Sequence, residues 1–435
     1  MRYAQRRLVI VVRADPVICG HSGEARNLAE VALTRGFDDV RLLTWPIATL
    51  QATGLPLKPL DRLQPYSPGI TVERPEPVGD YRVPDGRHLH GLTGRLVELL
   101  AEPMQTTCLA MYLVPHANVV IDAVNSARAA GFDPDVHTIA KAVGSDITNV
   151  VQNCLREGRF GAAAFLLTTF LAHDEVVAVS DYTRDEIVLA AEAVDLHCGT
   201  RFAAECRRRV TVSYPPIDTS AYVDVDTSAV DAALARRGLE RDGYILFLSR
   251  VTRAKGVHDL IEAYATSRAR DRVKLVIAGT GTALSEVRAL AAGDDRVVFL
   301  TDVDDDEKPL LMRGCATYAL PTKPESDFVE TFGIALAEKL LTGGGPVITT
   351  LTGGTGEAVG DTAVIVEAGD VAALRDALDR VVLEMSDHDK RALEWRGREH
   401  ALAFDRARVF DDLFAPSMES HTATVTPLRL AEESV

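Results

Sequence analysis

Two separated series of short β-branched apolar runs, each leading into a stretch of helical spacing, constrain this chain more than any other feature. The first opens at Leu8-Val9-Ile10-Val11-Val12 and runs on to Gly20 and Gly23. A run with no polar alternation needs burial on both faces, which a parallel sheet supplies. Arg26 to Arg35 then places Leu28, Val31 and Ala32 on one helical face, and Val40 to Leu43 predicts the next strand. This β-loop-α-β order is how a doubly wound sheet begins. The stretch Pro56 to Gly86 is rich in Pro and Gly and predicts loop with a short strand. A second series starts at Tyr244–Leu248, with a helix through Ile261–Tyr264 and strands at Val273–Ala278 and Val297–Leu300. Ser213 to Asp242, with Pro215 and Pro216, separates the two and predicts the domain boundary. Two such halves imply a ligand in the cleft between them, near the carboxyl ends of the strands.

Size and charge agree with this division. The chain has 435 residues, which at ~150 residues per domain suggests two or three. It is 47% hydrophobic and 25% charged, values that exclude disorder, collagen and a disulfide scaffold. With 47 basic and 63 acidic residues the formal net charge is −16. That balance argues against nucleic acid and weakens docking on an anionic membrane. None of the six cysteines forms a CxxC pair, so free thiols in a reducing compartment are expected rather than a zinc ribbon. The basic start, Met1 to Arg7, precedes an apolar run too short for a signal core or a bilayer span. A cytoplasmic protein without a membrane anchor is the expectation. Residues 416–435 are polar and predict a frayed tail.

The second half holds the most informative stretch, Phe328 to Glu338. Ile334, Ala337 and Leu341 share a helical face, which predicts a helix starting near Thr331 whose free amides can hold a phosphate. Gly333 lets an oxygen approach the backbone. Glu330 at the cleft edge and Glu338 two turns deeper suit a sugar at one end and a ribose at the other. Two solvated helix glutamates are the alternative. Upstream, Arg250 and Lys255 lie on a loop after a predicted strand. There a forked contact from Arg and a point charge from Lys neutralise a diphosphate. Ordinary surface cations are the alternative.

Together these segments resemble the retaining glycosyltransferases of family 4, which have the GT-B fold. The resemblance covers Tyr244 to about Leu383. Arg250, Lys255 and Gly256 match the family's Arg…Lys-Gly loop. Glu330 and Glu338 match its Glu-x7-Glu signature, with Phe332 and Gly333 in the expected slots. Gly345-Pro346-Val347-Ile348 and Gly353-Gly354…Glu357 look like its later loops. In the first half, Val136-His137-Thr138-Ile139-Ala140-Lys141 is similar to the His-bearing loop of the sucrose-phosphate-synthase-like branch. Pro115-His116-Ala117-Asn118 is similar to the strand-end His motif before it. Cys19-Gly20 stands where the family has Gly-Gly, with Gly23 as compensation.

The resemblance implies two Rossmann-like domains facing a central cleft. Residues 1–215 would bind the acceptor and residues 216–394 a nucleoside-diphosphate sugar, with a C-terminal helix at about 395–415 crossing back to the first domain. It implies retention at the anomeric carbon, with no cofactor beyond the UDP- or GDP-sugar and no metal. His137, Arg250, Lys255 and Glu330 would carry the chemistry. Gly20, Gly23, Arg250, Lys255, Glu330, Thr331, Phe332, Gly333 and Glu338 would bind the donor, Glu330 holding the sugar and Glu338 the ribose. His116 and Lys141 would face the acceptor, and the main chain near His137 the anomeric centre. His137 as a buried structural histidine is the other reading. The acidic surface favours a small soluble acceptor over a lipid, and the Ala- and Arg-rich composition is what a high-GC bacterium would give, which suggests a sugar, a thiol or an amino-cyclitol of an antibiotic pathway as acceptor. A homodimer is compatible with this reading. An acceptor-free epimerase or hydrolase, a silent sugar-nucleotide-binding protein and a nicotinamide dehydrogenase are the competing functions.

Other signals are weaker. Gly279-Thr280-Gly281 lacks the third glycine of a dinucleotide fingerprint. Asp302 to Glu307 lacks the Gly and distant Glu of a calcium loop, and acidic residues suit a helix start. Glu325 and Asp327 are placed to shape sugar or acceptor selection. His88 and His90 would face one way if extended.

Overall fold

The computed structural model describes residues 5–78, 84–326 and 328–419. The first half forms a seven-stranded sheet of β1 (Arg6–Val11), β2 (Asp39–Leu43), β3 (Ile70–Glu73), β4 (Gln105–Met111), β5 (Val136–Ala142), β6 (Glu175–Ala178) and β7 (Val210–Val212). Their order is β3-β2-β1-β4-β5-β6-β7. The second half forms a six-stranded sheet of β8 (Tyr244–Leu248), β9 (Lys274–Ala278), β10 (Val297–Leu300), β11 (Thr317–Leu320), β12 (Val347–Thr349) and β13 (Val364–Ile365). Here the order is β10-β9-β8-β11-β12-β13. Every pairing in both sheets is parallel.

Burial explains the uninterrupted apolar runs. Leu8, Val9, Ile10 and Val11 are fully buried, as are Tyr244 to Phe247 and Leu275 to Ala278. Helices cover the central strands on both faces, and exposure is confined to edge-strand positions such as Thr71, Thr211 and Ile365. Each sheet reverses direction beside its first strand, between β1 and β4 and between β8 and β11. The crevice outside the carboxyl ends at such a reversal is where open α/β sheets bind ligands.

The two halves touch along several lines. After Tyr214-Pro215-Pro216, Ile217 bridges to Asp405 in parallel fashion. The chain then returns through the helix Asp387–Ala401, and the helix Arg406–Glu419 packs on the first domain. Phe410 and Phe414 of that helix meet Phe37 at 6.1 and 6.2 Å, and Arg35 pairs with Asp411 at 2.7 Å. This last helix runs past the predicted tail boundary at 416 to Glu419; residues 420–435 of that tail lie outside the described residues.

Several local expectations are corrected. The helix Gly20–Ala32 starts at Gly20 with Cys19 as an extended N-cap, so Gly20 and Gly23 lie inside a helix rather than in a loop before one. His88 and His90 fall within the helix Pro84–Leu100 rather than in an extended segment. The acidic run starts the helix Glu307–Gly314. Within it Asp304 accepts from the Glu307 amide at 2.8 Å, and Asp302 and Glu307 both engage Arg237. Among the described residues no group of three or more His, Cys, Asp or Glu could hold a metal ion.

Candidate active site between the domains

A cavity of about 190 Å³ lies between the two sheets' carboxyl ends. Arg13, His21 and Glu24 line one wall; Arg250, Phe328 and Glu330 to Ile334 line the other. Both walls are built from chain that has just left a strand at a reversal point.

On the second-domain wall, Arg250 follows β8 directly. Its guanidinium is exposed, lies 5.6 Å from the Phe328 ring centre and makes no ion pair among the described residues. The Gly279–Gly281 turn supports this loop, with the Val251 amide donating to the Thr280 carbonyl at 2.8 Å. That turn therefore has a structural role here. Lys255 ends a short helical turn, is buried, and its Nζ donates to Oε2 of Glu330. The ammonium also lies 5.3 Å from the Phe328 ring centre. The Lys255–Glu330 pair is mutually neutralised, which leaves Arg250 as the uncompensated cation of this wall. Asp327 lies outside the described residues, and Glu325 closes a local turn against Phe328 through the main chain.

Gly333 has φ +99° and caps the helix Ile334–Thr342. The helix starts three residues later than the spacing predicts, because the left-handed turn at Gly333 separates it from Thr331 and Phe332. Gly333 and Ile334 line the cavity, so the helix start still reaches the site. Phe332 is buried against Tyr214 and Phe404, at 5.6 and 5.0 Å between ring centres. It plugs the hinge as well as lining the cleft. Thr331 donates to the Val143 carbonyl of the first domain at 3.4 Å. A Cβ on Gly144 (φ +107°) would fall 2.3 Å from the Thr331 side chain, so only glycine permits this approach.

Glu338 stands in a second polar cluster. Its Oε1 accepts from the Tyr222 hydroxyl at 2.6 Å and from Lys308 Nζ at 2.7 Å. The first domain closes over this end: Lys58 pairs with Asp305 at 2.7 Å and Gln64 donates to Asp306 at 3.0 Å. The acidic run thus receives a loop of the opposite domain, a use that no sequence signal indicated.

On the first-domain wall the predicted residues fare unevenly. A Cβ on Gly20 would meet Ile334 Cδ1 at 3.1 Å, so this glycine sets the approach of the two domains. Gly23 is exposed and a Cβ there would meet nothing within 4 Å; it does not compensate for Cys19. His116 lies at the reversal point after β4 but is fully buried, 5.4 Å from the Trp45 ring. Burial lowers its pKa to about 3. Lys141 is also fully buried and pairs with Glu24 at 3.0 Å. It cannot face an acceptor; it fixes the carboxylate that does line the cleft. His137 sits at the opposite end of the sheet, at the start of β5, where its Nε2 meets Glu175 Oε1 at 2.5 Å. A parallel strand exposes only its carboxyl end to the cleft, so the β5 segment at the site is Val143–Gly144–Ser145.

Asp146 holds that segment in place. Its buried carboxylate accepts from the amides of Leu113, Val143, Gly144 and Ile147 at 3.0, 3.2, 2.9 and 3.1 Å. Burial raises its pKa to about 6, against the opposing pull of those amides. Across the hinge, Glu357 accepts from the Asp181 and Tyr182 amides at 2.7 and 2.9 Å. A second-domain carboxylate thereby caps the first-domain helix Asp181–Cys198. Arg13, His21, Asp146 and the partner of Glu357 were missed by sequence reasoning. Arg13 alone carried a signal, as a lone cation just beyond the first strand.

Comparison with known proteins agrees with the architecture. Residues 234–396 match the family model of glycosyl transferases group 1. None of the curated proteins searched matches the chain by sequence. HepE of Anabaena, solved with UDP and glucose, superposes with a TM-score of 0.67 at 17% identity, over 96% of this chain and 100% of that one. Sucrose-phosphate synthase of Thermosynechococcus elongatus gives 0.68 at 17% identity, over 97% and 100%. WaaG, a glycosyltransferase involved in lipopolysaccharide biosynthesis, gives 0.62 at 15% identity, over 96% and 100%. The fold is GT-B.

Proposed function

We propose that this chain is a metal-independent, retaining glycosyltransferase that moves a hexosyl group from a UDP- or GDP-sugar to a small soluble acceptor. The observation that carries this reading is the second-domain wall. Arg250, the Lys255–Glu330 pair and the Gly333 helix start converge on one cavity at the strand reversal of a domain matching glycosyl transferases group 1. The relatives that bind UDP or UDP-glucose share the fold.

In this mechanism the bond between the anomeric carbon and the diphosphate oxygen breaks first, and the developing negative charge is the main barrier. Arg250 meets that charge directly. Lys255 adds to it while holding Glu330, whose remaining oxygen accepts from the sugar hydroxyls. The helix dipole starting at Gly333 acts in the same sense. Glu338 takes the ribose through the oxygen that Tyr222 and Lys308 leave open. The acceptor attacks from the face the diphosphate leaves, beside the Val143–Ser145 main chain, and its proton passes to the departing diphosphate oxygen. The Lys58–Asp305 contact and the Thr331–Val143 contact keep water from the reacting carbon.

The test is donor turnover with UDP-glucose and GDP-mannose, with and without a panel of sugar acceptors, in buffer containing EDTA. Acceptor-dependent release of UDP or GDP that is unaffected by EDTA supports the proposal. An equatorial anomeric proton in the product's NMR spectrum, the α configuration of the donor, supports retention. Turnover equal with and without acceptor would mean a hydrolase or epimerase.

A further inference from the structure

Thr322, Thr350, Thr352 and Thr355 cluster beside the Glu330 loop, and the chemistry above uses none of them. Thr322 lies two residues beyond β11, and Thr350 directly follows β12. Thr322, Thr350 and Thr355 are buried, and Thr352 is half-buried. The Thr322 hydroxyl lies 2.7 Å from that of Thr352 and 3.1 Å from that of Thr350. The hydroxyls of Thr350 and Thr352 are 3.2 Å apart, which closes a ring of three. Thr350 donates to the Thr322 carbonyl at 2.5 Å. A hydroxyl has one proton to give, so within the ring Thr350 can only accept. Thr355 donates to the Thr350 carbonyl at 2.6 Å and accepts from the Thr352 amide at 3.0 Å. The network is satisfied internally and joins the ends of two paired strands.

Valines would fill the same space without the cost of burying hydroxyls. What the hydroxyls add is direction, because a satisfied buried polar network holds one arrangement. The part held is the loop of residues 350–355, against which the main chain of Glu330 and Thr331 rests. The Gly354 amide donates to the Glu330 carbonyl at 2.9 Å. A Cβ on Gly353 would overlap the Glu330 carbonyl oxygen, and one on Gly354 that of Thr331. The two loops are packed backbone to backbone, so a shift in one displaces the other. The same loop opens the helix Thr355–Val359. Glu357 of that helix holds the Asp181 and Tyr182 amides of the first domain at 2.7 and 2.9 Å.

We infer that the threonine network makes residues 350–357 one rigid link, so that the first domain's contact with Glu357 sets the position of Glu330. The threonines are positioning residues. They act through Gly353 and Gly354 on the carboxylate that holds the donor sugar. That task of Glu330 rests on the transferase reading above; the link itself does not.

The experiment compares wild type, Thr350→Val, Thr350→Ser, Glu357→Gln and the Thr350→Val/Glu357→Gln double variant, with thermal melts to establish folding. Thr352→Val, at the half-buried position, takes the place of Thr350→Val if that variant does not fold. Hydrogen exchange at the Gly354 amide reads the link without any substrate. It is expected to quicken about ten-fold in Thr350→Val and in Glu357→Gln. Steady-state rates with UDP-glucose and GDP-mannose, and calorimetric affinities for UDP and GDP, read the consequence. Thr350→Val is expected to lower kcat about 10- to 100-fold, as a small misplacement of a substrate-holding group does. Its diphosphate affinity is expected to stay unchanged, and Thr350→Ser, which keeps the hydroxyl, to restore most of kcat. The double variant is expected to fall no further than the worse single variant, because both break one link. Unchanged Gly354 exchange in either single variant overturns the link. So does a loss that Thr350→Ser leaves unrestored, one carried by diphosphate affinity instead of kcat, or losses that multiply in the double variant. Absence of diphosphate binding and of turnover in the wild type sinks the transferase reading, and the exchange data then still decide the link.

Discussion

Removing the Glu357 carboxylate is expected to loosen the two domains by an amount the geometry sets. Its two oxygens take the Asp181 and Tyr182 amides at 2.7 and 2.9 Å, across the domain boundary. A hydrogen bond to a charged group is worth about 1.5–3 kcal/mol, so the pair has an upper value of about 3–6. Glu357 is half-buried, and the freed amides regain water when the domains part. The expected loss for Glu357→Ala is therefore about 2–3 kcal/mol, or a 30- to 150-fold shift in the coupling equilibrium. Glu357→Gln keeps one acceptor oxygen without the charge, and about half that loss is expected. Ser180→Ala, which removes the cap to Thr183 within the first domain, is the local control at about 1 kcal/mol. Urea unfolding followed by fluorescence and circular dichroism reads all three. Separation of the two transitions in Glu357→Ala would show directly that the domains have uncoupled. A Glu357→Ala change within about 0.5 kcal/mol of wild type, or Glu357→Gln no milder than Glu357→Ala, would refute the capping argument.

Other outcomes follow from the same structure. Arg250→Gln is expected to lower kcat about 10²- to 10³-fold, as loss of one electrostatic stabiliser does; steady-state rates with a saturating donor measure it. His21 and His116 both have pKa values lowered from 6.5 to about 3. The unfolded chain binds their protons first, so stability falls as pH drops below 6.5, by about 2 kcal/mol per histidine at pH 5. Urea midpoints at pH 7 and pH 5 test this, and His116→Leu should remove about half of the difference. Asp146→Asn brings an amide N–H against two of the four backbone donors and should cost about 2–3 kcal/mol with a parallel fall in kcat; a melt and a rate on the same preparation check both.

The strands were legible because burial on both faces leaves one pattern, an unbroken β-branched run. Tyr244–Leu248 and Val297–Leu300 were read to the residue. The helix starts were not, because a glycine in a predicted loop cannot reveal whether it caps a helix from outside, as Gly333 does, or opens one, as Gly20 does. Arg250, Lys255 and Glu330 were legible as a group because they lie on the loops that follow β8 and β11, where sequence order and position in the cleft agree. His137 failed on direction: the segment belongs to the right strand, but at its amino end. Lys141 failed on burial, since an apolar strand can carry a lysine only when a partner such as Glu24 waits on another element. Such partners come from residues far apart in the chain, and no local pattern announces them. The Asp146 hub and the Glu357 cap are of the same kind.

The central claim is a nucleoside diphosphate held on the Arg250 wall, and a titration tests it most directly. UDP, GDP, ADP, TDP and NAD are compared at matched concentration by thermal shift and calorimetry, with wild type, Arg250→Ala and Glu338→Ala. At 100 times its dissociation constant a ligand adds about 2.7 kcal/mol of stability. The account predicts a shift with UDP or GDP that both variants lose. A shift with NAD alone, or none with any diphosphate, would contradict it.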